Sequence, residues 1–257
     1  MSLAKELRKL ADRLDTPGAA AARRLRVPLH LYRCFERIKH DFAIRTVLDV
    51  GANRGEFARH AAGCFPGTAI HCFEPLPGCQ PLLQALAAQH PQIRLHPFAL
   101  GETSGNAEMF ENDYAPSSSL LPMQERHREL WPKTVGTKKI TVAIETLDGA
   151  IAREKPAAPF FLKLDVQGFE MSVLRGAAET LRHTAVVMTE VLFEPLYAGQ
   201  MDYRELLNFM AGRGFQFVEF ADERRLPPLG KLVYADAILV NGQFAAKQAQ
   251  SVAGKQR

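Results

Sequence analysis

The 257-residue sequence predicts an α/β domain built around a mostly parallel sheet. Short apolar runs, typical of strands buried on both faces, alternate with helical patterns along most of the chain. Such alternation produces βαβ units with right-handed crossovers. The last two apolar runs, 215–220 and 235–240, have no helical pattern between them, which predicts an antiparallel hairpin at one edge of the sheet.

The predicted strands are runs of apolar and β-branched residues bounded by turn residues. They cover 46–50, 69–73, 93–100, 140–144, 160–164 and 185–190, followed by the terminal hairpin. The predicted helices cover 3–14, 28–40, 56–64, 81–89, 171–181 and 203–213. Typical stop signals follow two of these helices, Pro66-Gly67 after the third and Pro91 after the fourth.

Composition divides the chain into three predicted parts. Residues 1–45 form a basic helical N-terminal extension, with 11 Lys and Arg against 5 Asp and Glu. Residues 46–242 form the main domain, which is interrupted at 103–139 by a polar excursion that we interpret as a functional loop or lid. Residues 243–257 are small, polar and basic, which predicts a disordered tail.

The N-terminal segment and the cysteines indicate the compartment. The first predicted helix carries a stripe of Leu3, Leu7, Leu10 and Leu14, which packs on its own domain or, alternatively, on a second copy in a homodimer. No secretory signal and no apolar run long enough to span a membrane are found. We therefore expect a cytoplasmic protein. Its four cysteines, none in a C-x-x-C pair, are expected to be free buried thiols.

Polar residues follow the predicted strands at their carboxyl ends, where open parallel sheets bind ligands. After the first strand, Gly51 and Gly55 permit a tight turn and close approach of a ligand. Asn53 and Glu56 replace two glycines of the dinucleotide-binding pattern, which disfavours an NAD or nucleotide-sugar enzyme. Asp49, inside the strand, could accept hydrogen bonds from a positively charged ligand or from the backbone of the loop.

The Glu74-Pro75 pair follows the second strand, 19 residues after Gly55. An acidic residue at this distance is typical of a side chain that binds ribose hydroxyls. The structural alternative is a helix cap or a solvated strand end. Together with the glycine turn, the spacing favours a ribose-containing ligand.

Seven segments of the main domain follow one another as VLDVGANRGEFA, HCFEP, FALGE, PSSSL, ETLD, FFLKLDVQGFEMSVLRGAAETL and VVMTEV. In this order and spacing they resemble the FkbM-type family of class I methyltransferases, over about residues 46–240. The most specific piece is KLDVQGFE followed by VLRGA. The resemblance implies a Rossmann-like, seven-stranded, mostly parallel sheet with the last strand antiparallel and helices on both faces. It also implies S-adenosylmethionine-dependent O-methylation of a hydroxyl on a sugar, glycan or secondary metabolite.

The resemblance also implies a set of cofactor-binding positions. They are Asp49, Gly51, Asn53, Gly55, Glu74, Pro75, Ala99, Leu100, Ser118, Ser119 and Gln167. The first four would line the methionine end of the cofactor. Glu74 would bind the ribose, Ala99 and Leu100 would border the adenine, and Gln167 would face the methionine end and the acceptor.

Methyl transfer to a hydroxyl needs in-line alignment and removal of a proton, so a general base is expected. The candidates are Asp165 and Glu190, at the ends of adjacent predicted strands, and His127 in the excursion. The alternatives are a cofactor-binding or turn-forming role for Asp165, a cap or ion-pair partner for Glu190, and an exposed loop position for His127. Asp165 and Glu190 offer two ligands to a divalent cation, but no third ligand is found, so no metal is predicted.

Two other functions stay open. The isoelectric point of about 8.9 and the basic extension suit an RNA methyltransferase. No basic surface interleaved with aromatic residues is found, so a small-molecule or glycan acceptor is expected rather than nucleic acid. A non-catalytic S-adenosylmethionine-binding protein within a biosynthetic complex is the other alternative. The sequence does not identify the acceptor.

Overall fold

The computed structural model describes residues 17–134 and 136–246. The predicted helix 3–14, with its leucine stripe and the homodimer interpretation, lies outside the described residues. The same holds for residues 247–257 of the predicted tail. Residues 243–246 are helical, where the sequence predicted disorder.

Within the described residues, ten strands form two sheets. They are β1 (Thr46–Val50), β2 (Ala69–Phe73), β3 (Ile93–His96), β4 (Ala99–Leu100), β5 (Gly105–Asn112), β6 (Thr137–Glu145), β7 (Phe160–Leu164), β8 (Thr184–Leu192), β9 (Phe215–Leu226) and β10 (Lys231–Asn241). The larger sheet has the order β3-β2-β1-β7-β8-β10-β9. β10 runs antiparallel to both of its neighbours, and the other pairs are parallel. The predicted seven-stranded sheet with an antiparallel last strand is confirmed.

Of the nine α-helices named here in the described chain, two precede the first strand and seven lie between strands. They are α1 (Ala19–Leu25), α2 (Leu29–Asp41), α3 (Glu56–Cys64), α4 (Gln80–Gln89), α5 (Glu125–Leu130), α6 (Leu147–Glu154), α7 (Glu170–Arg175), α8 (Ala178–Arg182) and α9 (Tyr203–Ala211). The helix predicted over 171–181 is broken into α7 and α8 at Gly176, which lies against the Gly101 backbone. None of the described helices is long and apolar enough to cross a membrane.

The central strands are buried on both faces, and alternate side chains pack on opposite helical layers. Val47 and Phe161 belong to the cluster that includes Phe35 of α2 and the alanines of α3. Leu48 and Leu162, one position further along, belong to the cluster formed with α6, α7 and α9. The prediction of helices on both faces is therefore confirmed.

The polar excursion is a folded hairpin rather than an irregular loop. The strand predicted over 93–100 is split, because β3 stays in the larger sheet while β4 pairs with β6 in a second sheet of order β4-β6-β5. β5, which was not predicted, pairs antiparallel with β6 from Gly105 opposite Ile144 to Asn112 opposite Thr137. Because β5 buries few of its side chains, it lacks the apolar run by which a strand is recognised.

The cysteines behave as predicted. Cys34, Cys64, Cys72 and Cys79 are free and buried. Burial raises the pKa of Cys34 and Cys64 to about 11, and that of Cys72 well above its usual value. Thiolate is therefore scarce at neutral pH, which indicates a packing role.

Candidate active site

A cavity of about 960 Å³ opens at the carboxyl ends of the central strands. Twelve of the predicted site residues line it: Gly51, Asn53, Glu74, Pro75, Ala99, Leu100, Ser118, Ser119, His127, Asp165, Gln167 and Glu190. Asp49 and Gly55, also predicted, are buried behind its wall. The structure therefore brings the positions of the glycine turn, the strand ends and the excursion into one site, whose volume suits a small-molecule pocket.

The turn after β1 depends on left-handed backbone. Gly51 and Gly55 have φ of 76° and 80°, and Asn53 between them has φ of 47°. A Cβ on Gly51 would lie 1.9 Å from the Asp165 carbonyl oxygen, so glycine lets this turn pass directly against the end of β7. A Cβ on Gly55 would lie 2.6 Å from the Leu86 side chain, which packs the turn onto α4.

Glu74 braces the same turn from the end of β2. Its Oε2 accepts a hydrogen bond from the Asn53 amide and its Oε1 accepts one from the Leu76 amide, both at 2.8 Å. Burial raises the pKa of Glu74 to about 7, although the two amide donors oppose this shift. Each carboxylate oxygen has a second acceptor site, so the side chain can support the turn and also accept bonds from ligand hydroxyls.

Lys163, on β7, is a site residue that the sequence reasoning missed. Its Nζ lies 3.4 Å from Asp49 Oδ1 and 3.5 Å from Asp165 Oδ2, and it donates to the Gly51 carbonyl at 3.0 Å. Neither Asp49 oxygen has another well-formed hydrogen bond among the described residues. Burial raises the pKa of Asp49. Burial would lower the pKa of Lys163, but Asp165, Asp49 and Asp236 raise it above its usual value. A lysine inside an apolar five-residue strand was the available signal.

Gln167 joins the two ends of the cavity. Its Nε2 donates to Asp165 Oδ1 at 2.7 Å and to Glu190 Oε2 at 3.1 Å, while its Oε1 accepts from the Tyr197 hydroxyl at 2.7 Å. Its backbone carbonyl accepts from Ser119 Oγ at 2.7 Å. The amide thus occupies the space between the two carboxylates in which a bridging cation would sit.

Glu170 holds the turn that carries Gln167. Its Oε1 accepts from the amides of Val166 and Gly168, at 3.0 Å and 3.2 Å. Burial raises the pKa of Glu170 to about 7. Glu170 therefore stabilises the preceding turn through hydrogen bonds. It also lies in the first turn of α7, where the helix dipole favours an acidic side chain.

The serine pair ties the excursion to this turn. Ser118 Oγ accepts from the Asn112 amide at 2.9 Å. Ser119 Oγ donates to the Gln167 carbonyl and accepts from the Leu121 amide at 2.9 Å. Both serines face the cavity, and both also shape its wall.

An aromatic cluster forms the wall contributed by the excursion. The His127 ring lies on α5 with its centroid 4.7 Å from that of Trp131 and 5.3 Å from that of Tyr197. Trp131 in turn lies 6.3 Å from Tyr234 of β10. His127 is buried, its Nδ1 is 3.3 Å from Thr134 Oγ1, and burial lowers its pKa. The alternative that His127 is an exposed loop residue is therefore wrong.

Two carboxyl groups face the cavity from neighbouring strands, Glu190 of β8 and Asp236 of β10. Burial is the main cause that raises the pKa of Glu190 well above its usual value, and the negative charge of Asp165 is the second cause. The same two causes raise the pKa of Asp236 to about 7. Asp236 was not predicted, because it lies in the middle of an antiparallel strand rather than after the end of a parallel one.

A second group of potential metal ligands, His71, His96 and Glu154, lies outside the cavity lining. His71 Nδ1 and His96 Nε2 are 2.9 Å apart, with the rings stacked at 5.1 Å. Burial lowers the pKa of both, to about 4 for His71. One nitrogen of each ring is therefore satisfied by the direct contact with the other ring.

The strand order and the glycine turn against β7 define a class I methyltransferase fold. Its cavity lies at the carboxyl ends of the parallel strands, where such folds bind ligands. Residues 49–217 match the family described as the methyltransferase FkbM domain. The chain belongs to this family and is an S-adenosylmethionine-dependent methyltransferase.

Two curated relatives are similar to the chain. The 2-O-methyltransferase NoeI of Sinorhizobium fredii (strain NBRC 101917 / NGR234) is 25% identical over 218 residues, which cover 82% of this chain and 85% of that protein. The 31-O-demethyl-FK506 methyltransferase FkbM of Streptomyces tacrolimicus is 29% identical over 172 residues, which cover 57% of this chain and 65% of that protein. The chain thus spans slightly less than two thirds of the second relative.

Solved structures are more distant. The precorrin-6y C5,15-methyltransferase of Geobacter metallireducens GS-15 aligns with a TM-score of 0.41 and 8% identity, over 82% of this chain and 86% of that one. Aeropyrum pernix fibrillarin with bound S-adenosyl-L-methionine aligns with a TM-score of 0.40 and 14% identity, over 78% and 67%. Similarity at this distance carries no inference about function.

Proposed function

We propose that the protein is an O-methyltransferase whose acceptor is a hydroxyl on a sugar, a glycan or a secondary metabolite. The observation that supports this proposal is a single continuous cavity whose two ends differ in chemistry. One end is formed by the glycine turn, Glu74 and apolar strand ends, and the other by buried carboxyl groups and an aromatic wall. The names of both relatives describe methylation at oxygen.

The turn end fits the donor, which supplies an electrophilic methyl group on a positively charged sulfur. Gly51 and Asn53 line this end of the cavity, where a ligand can approach the turn. Glu74 retains acceptor sites for ribose hydroxyls, and Ala99 with Leu100 offers an apolar surface for a base. Asp49 is fully buried, so it supports the donor only indirectly, through Lys163.

The carboxyl end fits a hydroxylated acceptor. Asp165 is ion-paired with Lys163 and bonded to Gln167, so it serves to position the donor's charged end rather than to take a proton. His127 and Trp131, whose rings are tilted by 47° to each other, offer an aromatic surface against which the apolar face of an acceptor ring can lie, while nearby carboxyl groups contact its hydroxyls. The proposed role of His127 is therefore to bind the acceptor.

An acceptor panel tests this function. We would measure S-adenosylhomocysteine formation with free and lipid-linked oligosaccharides, polyketide alcohols and unmodified RNA. Turnover with one of the hydroxylated small molecules or glycans is expected, and the responding class would identify the acceptor. Tight donor binding without turnover on any hydroxyl would instead support a non-catalytic role, and methylation confined to RNA would replace the proposal.

A further inference from the structure

Glu190 and Asp236 are a directly opposed pair in the antiparallel β8–β10 ladder. Side chains directly opposite each other in such a ladder lie on the same face, with Cβ atoms about 5 Å apart. Both residues line the cavity, and Gln167 lies between Asp165 and Glu190. The two carboxyl groups therefore meet at the acceptor end of the site.

The charges around the pair do not favour ionising both members. The titratable or charged groups that act on one or both are Cys34, Lys163, Asp165, Glu170, Tyr197, Asp222 and Tyr234. Lys163 is the cation among them, and it is already paired with Asp49 and Asp165. Like charges at this separation disfavour a second ionisation, so the pair holds one proton.

The two members differ in burial. Glu190 is 9% exposed and already accepts a hydrogen bond from Gln167, whereas Asp236 is only partly buried. Burial raises the pKa of Glu190 well above its usual value and that of Asp236 to about 7. Because Gln167 holds one Glu190 oxygen and Asp236 is the more exposed member, Asp236 is the carboxylate that faces the acceptor, and the shared proton is assigned to Glu190.

We propose that Asp236 is the general base that takes the proton of the acceptor hydroxyl, and that protonated Glu190 positions it by donating a hydrogen bond. The inference rests on the proposed function. In the step, the acceptor oxygen forms a bond to the methyl carbon while the carbon–sulfur bond breaks. The bonding electrons stay on sulfur, which becomes neutral, and the hydroxyl proton moves to an Asp236 oxygen.

The pH dependence of kcat tests the assignment. In the wild-type enzyme kcat is expected to rise with pH through about 7, as Asp236 ionises. Asp236→Asn should lower kcat by roughly 100-fold or more and remove this rise, while Asp236→Glu restores part of both. Glu190→Gln should lower kcat less and keep the rise at nearly the same pH, because Glu190 is already neutral there.

Controls separate this step from damage to the donor site. Donor affinity measured by calorimetry should stay within about twofold in each variant, since neither residue lines the turn end. Glu223→Gln alters an exposed carboxylate of the same hairpin, paired with Arg225, and should leave kcat unchanged. An Asp236→Asn enzyme with the wild-type rise and a kcat within threefold would overturn the inference and leave the proposed function standing.

If no acceptor is methylated, that result counts against the proposed function itself. A measurement without ligand then still tests the carboxyl pair. Infrared difference spectra should show a protonated carboxyl band at neutral pH that is absent from Glu190→Gln. Among the carboxyl bands that titrate near pH 7, which also include those of Glu74 and Glu170, one should be absent from Asp236→Asn. Loss of both bands together near pH 4 in the wild type would contradict the pair.

Discussion

Lys163 supplies positive charge at the point where β1 and β7 meet the glycine turn. It contacts Asp49 below the turn, Asp165 at the end of its own strand and the Gly51 carbonyl above it. A buried carboxylate with no other well-formed bond, such as Asp49, is tolerated only beside such a partner. The lysine therefore joins the stability of the core to the shape of the ligand site.

Replacing Lys163 with Met should lower the free energy of unfolding by about 3 kcal/mol or more, because Asp49 is left buried without a counter-charge. Urea unfolding followed by circular dichroism measures this loss. Lys138→Met, which removes an exposed ion pair with Glu111, should cost much less, because solvent screens that pair. Adding Asp49→Asn to Lys163→Met should recover part of the loss; simple additivity of the two costs would argue against the pairing.

Replacing Glu74 with Ala should weaken donor binding at least about tenfold if Glu74 makes the two hydrogen bonds to ribose hydroxyls that we propose. Calorimetric titration with S-adenosylhomocysteine gives the affinity, and thermal unfolding shows whether the variant is folded. Glu102→Ala removes an exposed carboxylate paired with Arg175 and serves as the matched control. An unchanged dissociation constant in Glu74→Ala would remove the ribose assignment.

The residues that sequence could identify are those whose position alone places them at the site. Glu74, Asp165 and Glu190 lie at or beside the carboxyl ends of parallel strands, and the topology of such sheets brings those ends together. Asp236 reaches the same place only through its register with β8, a long-range pairing that no local pattern encodes. Lys163 was overlooked because lysine is rarely buried.

At the scale of elements, prediction succeeded where a strand is buried on both faces. β1, α3 and β2 begin and end at the predicted residues, since apolar runs and turn signals agree there. It failed for β5, whose side chains are largely exposed. It also failed for α6, an eight-residue helix whose start is marked by Thr146, with Oγ1 accepting from the Gly149 amide.

The turn after β1 should not tolerate a side chain at its first glycine. Gly51→Ala places a Cβ 1.9 Å from the Asp165 carbonyl oxygen, so the turn must separate from β7. We expect a loss of at least about 2 kcal/mol in unfolding free energy, together with weakened donor binding. The measurements are urea unfolding and calorimetric titration.

Gly67→Ala is the control for Gly51→Ala, because Gly67 has nearly the same φ, 78° against 76°, but no atom within 4 Å of its Cβ position. It should show only the backbone cost, about 1 kcal/mol, with donor affinity unchanged. Equal losses in the two variants would show that the contact between the turn and β7 is unimportant.

For the molecule as a whole, buried carboxyl groups make stability depend on pH. Burial raises the pKa of Glu74, Glu170 and Asp236 to about 7. Between about pH 4.5 and pH 7 the folded protein therefore holds protons that the unfolded chain has lost, and this contribution to stability falls as pH rises. His71, whose pKa burial lowers from 6.5 to about 4, contributes with the opposite sign between about pH 4 and pH 6.5.

Glu170→Gln isolates one of these groups, since the amide oxygen can still accept the two turn hydrogen bonds. Relative to the wild type, the variant should gain up to about 1.4 kcal/mol of stability per pH unit between about pH 5 and pH 7, and no more above that. Urea unfolding at several pH values measures the difference. Glu179→Gln, at an exposed carboxylate, should show none, and parallel wild-type and Glu170→Gln curves would refute the assignment.

The amide of Gln167 has a thermodynamic consequence for the order of events in the cavity. The same side chain contacts the carboxylate at each end, and its backbone carbonyl receives the serine of the excursion. A ligand that fixes this amide at one end of the cavity changes the binding free energy of a ligand at the other end. By thermodynamic linkage, donor and acceptor then change each other's affinity by the same factor. Donor and acceptor are therefore expected to bind cooperatively, with one glutamine as the shared element.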